Sequence, residues 1–127
     1  RISNTMPSLT QQEVAEKTLE FVRSAEFMGA IHGFARSNVH HFNPESDENK
    51  LIYTELHQQF VALVFERIET FLRSINVSDE EFKAACQAGV EKGGPGANAL
   101  EQCLLFDDFM HFRKLMFSMA KRMQSRG

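Results

Sequence analysis

The histidines are the first side chains in this sequence that could perform chemistry, as ligands of a metal ion. His40 and His41 are adjacent, so on a helix they point about 100° apart and cannot both face one ion. His57 and His111 have no cysteine or carboxylate at a spacing that suggests a closed site. We therefore expect no metal site and no cofactor.

Carboxylates and a glycine-rich segment are the next candidates, as acid–base groups and as a phosphate-binding loop. Asp107 and Asp108, like the acidic run 79–81, stand where helices are expected to begin, and capping accounts for them there. Segment 92–96 (KGGPG) lacks the Gly-Lys-[Ser/Thr] ending of a phosphate-binding loop, and no strand is expected before it. No nucleophile elbow is present. We therefore expect a protein that is not an enzyme.

The composition favours apolar binding over binding by charge. Twelve phenylalanines and six methionines accompany a single tyrosine, and Phe and Met fill cores or line adaptable apolar grooves. A net charge of −3 excludes a nucleic-acid binder held by charge alone. No apolar run has the length of a membrane span. We expect Cys86 and Cys103 to be buried thiols in a reducing cytosol.

Helical spacing of apolar residues runs through almost all of the 127 residues, a length that fits one domain. We expect a flexible N-terminal segment over residues 1–9 and a helical domain over residues 10–127. No segment reads as a strand. The sequence therefore predicts an all-α fold, a six-helix bundle.

Capping signals predict where the first, second and fourth helices begin. Thr10 with Glu13, and Ser78 with Glu81, form capping boxes, and Ser24 can cap the second helix. These signals predict helices that start directly after residues 10, 24 and 78.

The third helix is expected to be the longest, from about residue 47 to residue 75, with Asn43 and Pro44 as a helix start before it. Its apolar arc covers more than half of the circumference, against ~100° for an ordinary surface helix. We therefore expect it to pack on two sides as the spine of the bundle. Gly29 and Gly33, four residues apart in the second helix, suit a close approach between helices.

The last part of the chain is broken by glycines at 92–96, followed by a helical piece over 97–106. Asp107 or Asp108 then caps a final helix that runs to about residue 124. The third and final helices each carry a second apolar stripe, which either lines a cleft for an amphipathic partner helix or is covered by the other helices. These stripes comprise Val61, Phe65, Leu72, Phe106, Met110 and Phe117.

Segment 47–55 (DENKLIYTE), followed by Leu63-Val64 and Ile68-Glu69, resembles the hallmark segment of the BART domain. That domain occurs in the binder of Arf-like protein two. Segment 104–116 (LLFDDFMHFRKLM) is similar to the last helix of the family, an acidic cap followed by a Phe-x-x-Phe-[Lys/Arg] pattern. The resemblance covers about residues 9 to 124.

Two further segments, 53–59 and 81–86, look closer to the BART-domain cilia- and flagella-associated proteins than to the binder itself. Those ciliary members continue into a long charged coiled-coil tail, whereas this chain stops at Gly127 and starts at Arg1 rather than Met. We therefore expect either a trimmed chain that lacks this tail or a member of another branch.

The resemblance implies a BART-like six-helix bundle that acts as an effector of GTP-bound Arf-like small GTPases of types two and three. In this family the amphipathic N-terminal helix of the GTPase enters a groove lined by Phe, Met and Leu. We expect a monomer in the cytoplasm, at the cilium or basal body, in ciliary trafficking. The alternative is a helical adaptor of a ciliary or cytoskeletal complex that does not read nucleotide state.

The third, fourth and last helices are expected to line this groove. The partner-binding residues expected from them are Leu56, Phe60, Leu63, Val64, Phe82, Cys86, Phe106, Phe109 and Met110.

Overall fold

The structure, a computed structural model, describes residues 9–46 and 48–126. This described part consists of six α-helices and one 3₁₀ turn without any strand, which confirms the predicted all-α class. The expected flexible segment lies outside the described residues, apart from Leu9. The elements are α1 (Gln11–Val22), α2 (Ala25–Asn38), the 3₁₀ turn (Val39–His41), α3 (Leu51–Ser74), α4 (Asp79–Lys92), α5 (Pro95–Asp107) and α6 (Phe109–Arg126).

The predicted capping boxes form at the starts of α1 and α4. At α1, the backbone N–H of Glu13 donates to Thr10 Oγ1 at 3.1 Å, and the backbone N–H of Thr10 donates to Glu13 Oε1 at 2.8 Å. Ser78 and Glu81 make the same reciprocal pair at 3.1 and 2.9 Å. Each box satisfies two N–H groups that the helix itself leaves without partners.

Helix α6 is capped by Asp108, the second of the two aspartates considered. Its Oδ1 atom accepts a hydrogen bond from the backbone N–H of His111 at 2.9 Å. Helix α5 begins at Pro95, slightly before the predicted start, because proline has no N–H to lose at the first helical position.

The third helix begins later than predicted. Asn43 Oδ1 accepts a hydrogen bond from the backbone N–H of Glu45 at 3.0 Å, so Asn43 closes a local turn instead of capping a helix. Helix α3 follows Lys50 and starts at Leu51. The prediction of a helix start at Asn43 and Pro44 is therefore wrong. Residue 47, the expected first residue, lies outside the described part of the chain.

Helix α3 is the spine of the bundle, because it contacts every other α-helix. Tyr53 and Val64 are fully buried, and Phe60 is 4% exposed. The ring of Phe112 from α6 lies 4.9 Å from that of Phe60, and Phe42 stacks on Tyr53 at 4.3 Å. This two-sided packing is the reason for the wide apolar arc in the sequence. No helix within 9–46 or 48–126 is long and apolar enough to span a lipid bilayer.

Helices α4 and α5 approach so closely at Gly89 and Gly96 that their backbones touch. A Cβ atom on Gly96 would overlap the carbonyl oxygen of Ala85, and one on Gly89 would overlap the backbone of α5. At Gly29 and Gly33, by contrast, nothing lies within 4 Å of such an atom. The close approach predicted for Gly29 and Gly33 is therefore wrong, and the glycine pair that makes one was missed.

Gly96→Ala is expected to lower the free energy of unfolding by about 1–3 kcal/mol, because the methyl group would force the two backbones apart. Gly29→Ala is the matched control: its methyl group meets open space, and alanine favours a helix interior by up to about 1 kcal/mol. Urea unfolding curves of both variants measure the difference. An equal loss of stability in the two would contradict the backbone contact.

Candidate binding groove

An open groove of about 460 Å³ lies between α3, α4 and α5. Its floor is α3, where Ile68 and Leu72 are each 3% exposed. Its walls carry aromatic and aliphatic side chains, while its rim is polar. The apolar and thiol lining comprises Phe65, Ile68, Leu72, Phe82, Cys86, Leu100 and Cys103, and the rim comprises Glu69, Asp79, Lys83 and Gln87.

Helical periodicity brings these side chains to one place. The capping box of α4 fixes its first turn, and Phe82 and Cys86, one turn apart, then share the face that lines the groove. On α5, Leu100 and Cys103 occupy one face by the same rule. Since α4 and α5 are held together at the Gly89–Gly96 contact, the two walls form a fixed pair over α3.

The interior of the groove is apolar and uncharged. Burial raises the pKa of the Cys86 thiol. Burial also raises the pKa of the Cys103 thiol to about 11, with a smaller contribution from the charge of Cys86. Both thiols are therefore protonated at neutral pH. The charged groups that line the groove, Glu69, Asp79 and Lys83, are all solvent-exposed. Such a lining suits an apolar surface of a partner.

Phe82 and Cys86 are the two sequence-predicted site residues that line this groove. Leu56, Phe60 and Val64 are instead at most 4% exposed and belong to the main core, because they lie on faces of α3 that its neighbouring helices cover. These three side chains are part of the hydrophobic core and do not line this groove.

The other predicted site residues lie elsewhere on the molecule. Leu63 is half-buried on α3 outside the groove. Phe106 and Phe109 are half-buried against the main core, and Phe106 lies 5.6 Å from the ring of Phe27. Met110 is 59% exposed at the start of α6. The binding role of all nine residues stays a prediction.

Sequence reasoning missed the contribution of α5 to the groove. Phe65 and Leu72 were already part of the second apolar stripe of the third helix, but Leu100 and Cys103 were not selected. The available signal was the i, i+3 spacing of these two apolar residues on the short helix after the glycine break.

A second cavity, of about 510 Å³, lies on the other side of α3. It has a more polar lining, so it suits an apolar helix face less well than the groove does. Its lining comprises Phe21, Glu26, Phe27, Glu66, Arg67, Thr70, Phe71 and Ser74.

The histidines do not form a metal site: no group of three or more His, Cys, Asp or Glu side chains in the described ranges could hold an ion. His57 Nε2 is buried without a hydrogen-bond partner. Its ring packs at 5.6 Å from Phe109 and 5.3 Å from Phe112, so this side chain belongs to the aromatic packing between α3 and α6.

Comparison with known proteins supports a family assignment. Residues 10–125 match the family model described as the ARF-like 2 binding protein BART. The match runs from the capping residue of α1 almost to the end of α6, and therefore includes the whole groove. No solved structure matches the chain.

Proposed function

This chain belongs to the family of the ARF-like 2 binding protein BART, and we propose on that premise that it binds an Arf-like small GTPase. The observation that carries the proposal is the groove between α3, α4 and α5, with its largely apolar lining and its charged residues confined to the exposed rim. An amphipathic helix that lays its apolar face into such a groove excludes water from both surfaces. The N-terminal helix of the GTPase is the occupant that the family resemblance implies.

The fit of a helix to the groove rests on shape as well as on composition. The floor is a single helix, α3, and the walls are two helices that cannot separate without breaking the Gly89–Gly96 contact. A preformed site of this kind avoids the ordering cost that a flexible site would incur on binding. The exposed rim residues Glu69, Asp79 and Lys83 can contact polar groups of the partner helix on either side of its apolar face.

The proposed role is that of an effector, which binds the GTP form of an Arf-like GTPase of type two or three in ciliary trafficking. An effector must contact the switch regions of the GTPase as well as its N-terminal helix, since these regions change with the nucleotide. The exposed residues at the rim of the groove provide surface for such contacts: Glu69, Asp79, Lys83 and Gln87.

The GTP-bound GTPase is expected to bind at least tenfold more tightly than the GDP-bound form, a difference of about 1.4 kcal/mol. Calorimetric titration of this domain with the GTPase, loaded with a non-hydrolysable GTP analogue or with GDP, measures both affinities. Equal affinities would contradict effector function and favour an adaptor that does not read nucleotide state. Absence of binding in both states would contradict the proposal as a whole.

A further inference from the structure

The polar rim of the groove on the α4 side is a single line of side chains. Asp79, Lys83 and Gln87 all line the groove and follow one another at intervals of four residues, so they stand on one face of α4. At 1.5 Å per residue this line is about 12 Å long, or roughly two helical turns. The apolar floor on α3, from Phe65 to Leu72, has nearly the same length. A helix that fills the groove therefore lies beside this rim for about two turns.

Two residues of this line, Asp79 and Lys83, carry opposite charges one turn apart. Both are solvent-exposed, and in the part of the chain that the structure describes neither forms an ion pair or a side-chain hydrogen bond. The other charged rim residue, Glu69, already pairs with Arg73, at 3.7 Å between Oε1 and Nη1. The charges of Asp79 and Lys83 are therefore the ones that a helix in the groove can compensate.

We propose that Asp79 and Lys83 select the partner helix by the charges along its polar border. A basic side chain of that helix faces Asp79, and an acidic one, a single turn away, faces Lys83. The pairing rests on the proposed function, which places an amphipathic helix in the groove. The charge pattern selects among amphipathic helices that would fit the apolar lining equally well.

Opposite charges one turn apart also distinguish the two directions in which a helix can lie in the groove. A helix with the matching order of charges forms both ion pairs in one direction and meets two like charges in the other. Because the rim is solvent-exposed, each ion pair should change the affinity by only about threefold. The apolar lining therefore supplies most of the affinity, and the rim supplies selectivity.

The test is a charge scan of a synthetic peptide of the N-terminal helix of an Arf-like GTPase. Each polar position is made lysine in one peptide and glutamate in another, and fluorescence anisotropy gives the ratio of the two affinities. Asp79→Asn should reduce the preference for lysine about threefold at one position, and Lys83→Gln should reduce the preference for glutamate about threefold at another. These two positions should lie about three or four residues apart, as the spacing of Asp79 and Lys83 on α4 requires. Both effects should shrink in high salt.

Glu80→Gln and Lys114→Gln are the matched controls, because both residues are exposed and neither lines the groove. Glu80 also shares the first turn of α4 with Asp79, so its variant removes an equivalent charge from the same helix N-terminus. No change of preference at any peptide position, equal changes in the controls, or two positions that are not one turn apart would overturn the pairing and leave the proposed function intact. A peptide that fails to bind the unsubstituted domain would overturn the proposed function and the pairing together.

Discussion

Replacing Phe112 by alanine is expected to lower the free energy of unfolding by about 3–5 kcal/mol. The side chain is 1% exposed, and its ring lies 4.9 Å from Phe60, 5.9 Å from Phe42 and 6.4 Å from Phe34. These neighbours come from α2, α3 and the segment between them, so no single element can move to fill the space. The lost contacts and the remaining cavity both contribute to the loss of stability.

Two other residues at the start of α6 and the end of α5 provide the controls. Met110→Ala should change the free energy of unfolding by at most about 0.5 kcal/mol, because Met110 is 59% exposed. Phe106→Ala should fall between the two, since this half-buried ring packs against Phe27 and Phe60. Chemical unfolding of the three variants gives the order. A Met110→Ala variant as unstable as Phe112→Ala would contradict the packing described here.

The parts of the fold that the sequence predicts well depend on local interactions. Each capping box joins two residues three apart, Thr10 with Glu13 and Ser78 with Glu81, and needs no information about the rest of the chain. The wide apolar arc of the third helix likewise indicates packing on two sides without saying which helices supply it. The starts of α1, α2 and α4 and the role of α3 as the spine follow from such signals.

The parts that sequence reasoning misses depend on how distant elements are placed. Asn43 is of a residue type that often caps helices, but here its side chain closes a turn. Its backbone N–H donates to the hydroxyl oxygen of Tyr53, a residue ten positions further along the chain. Gly29 and Gly89 are both glycines inside a helix, and the sequence does not distinguish them. In the structure, of these two only Gly89 lies against another helix. The spacing of glycines in one helix does not report where a second helix crosses.

The groove illustrates the same limit. The second apolar stripe of the third helix predicts either a cleft for a partner helix or a contact with another helix of the bundle. Two of its residues, Phe65 and Leu72, line the groove. Periodicity does not determine whether α5 or α6 supplies the opposite wall, because that depends on the angles at which the helices cross. The structure places Leu100 and Cys103 of α5 there, whereas Phe112 and Met116 of α6 are buried in the main core.

Introducing a charge at Leu100 is expected to weaken binding of the GTPase N-terminal helix strongly. In Leu100→Glu, a carboxylate would stand among apolar side chains, and the entering helix would have to remove it from water without providing a partner. We expect the affinity for a synthetic peptide of that helix to fall at least hundredfold, or by about 2.7 kcal/mol. Fluorescence anisotropy of a labelled peptide measures the change.

Two further variants separate loss of the site from loss of the fold. Leu51→Glu makes the same change of residue type at the first residue of α3, where the leucine side chain is 75% exposed and lies outside the groove. A negative charge is favourable at a helix N-terminus, so this control should keep both its stability and its affinity. Leu100→Ala removes apolar contact area without adding a charge, and should weaken binding by about tenfold, or 1.4 kcal/mol. Full affinity in Leu100→Glu, with unfolding curves matching those of the unsubstituted domain, would place the partner helix outside this groove.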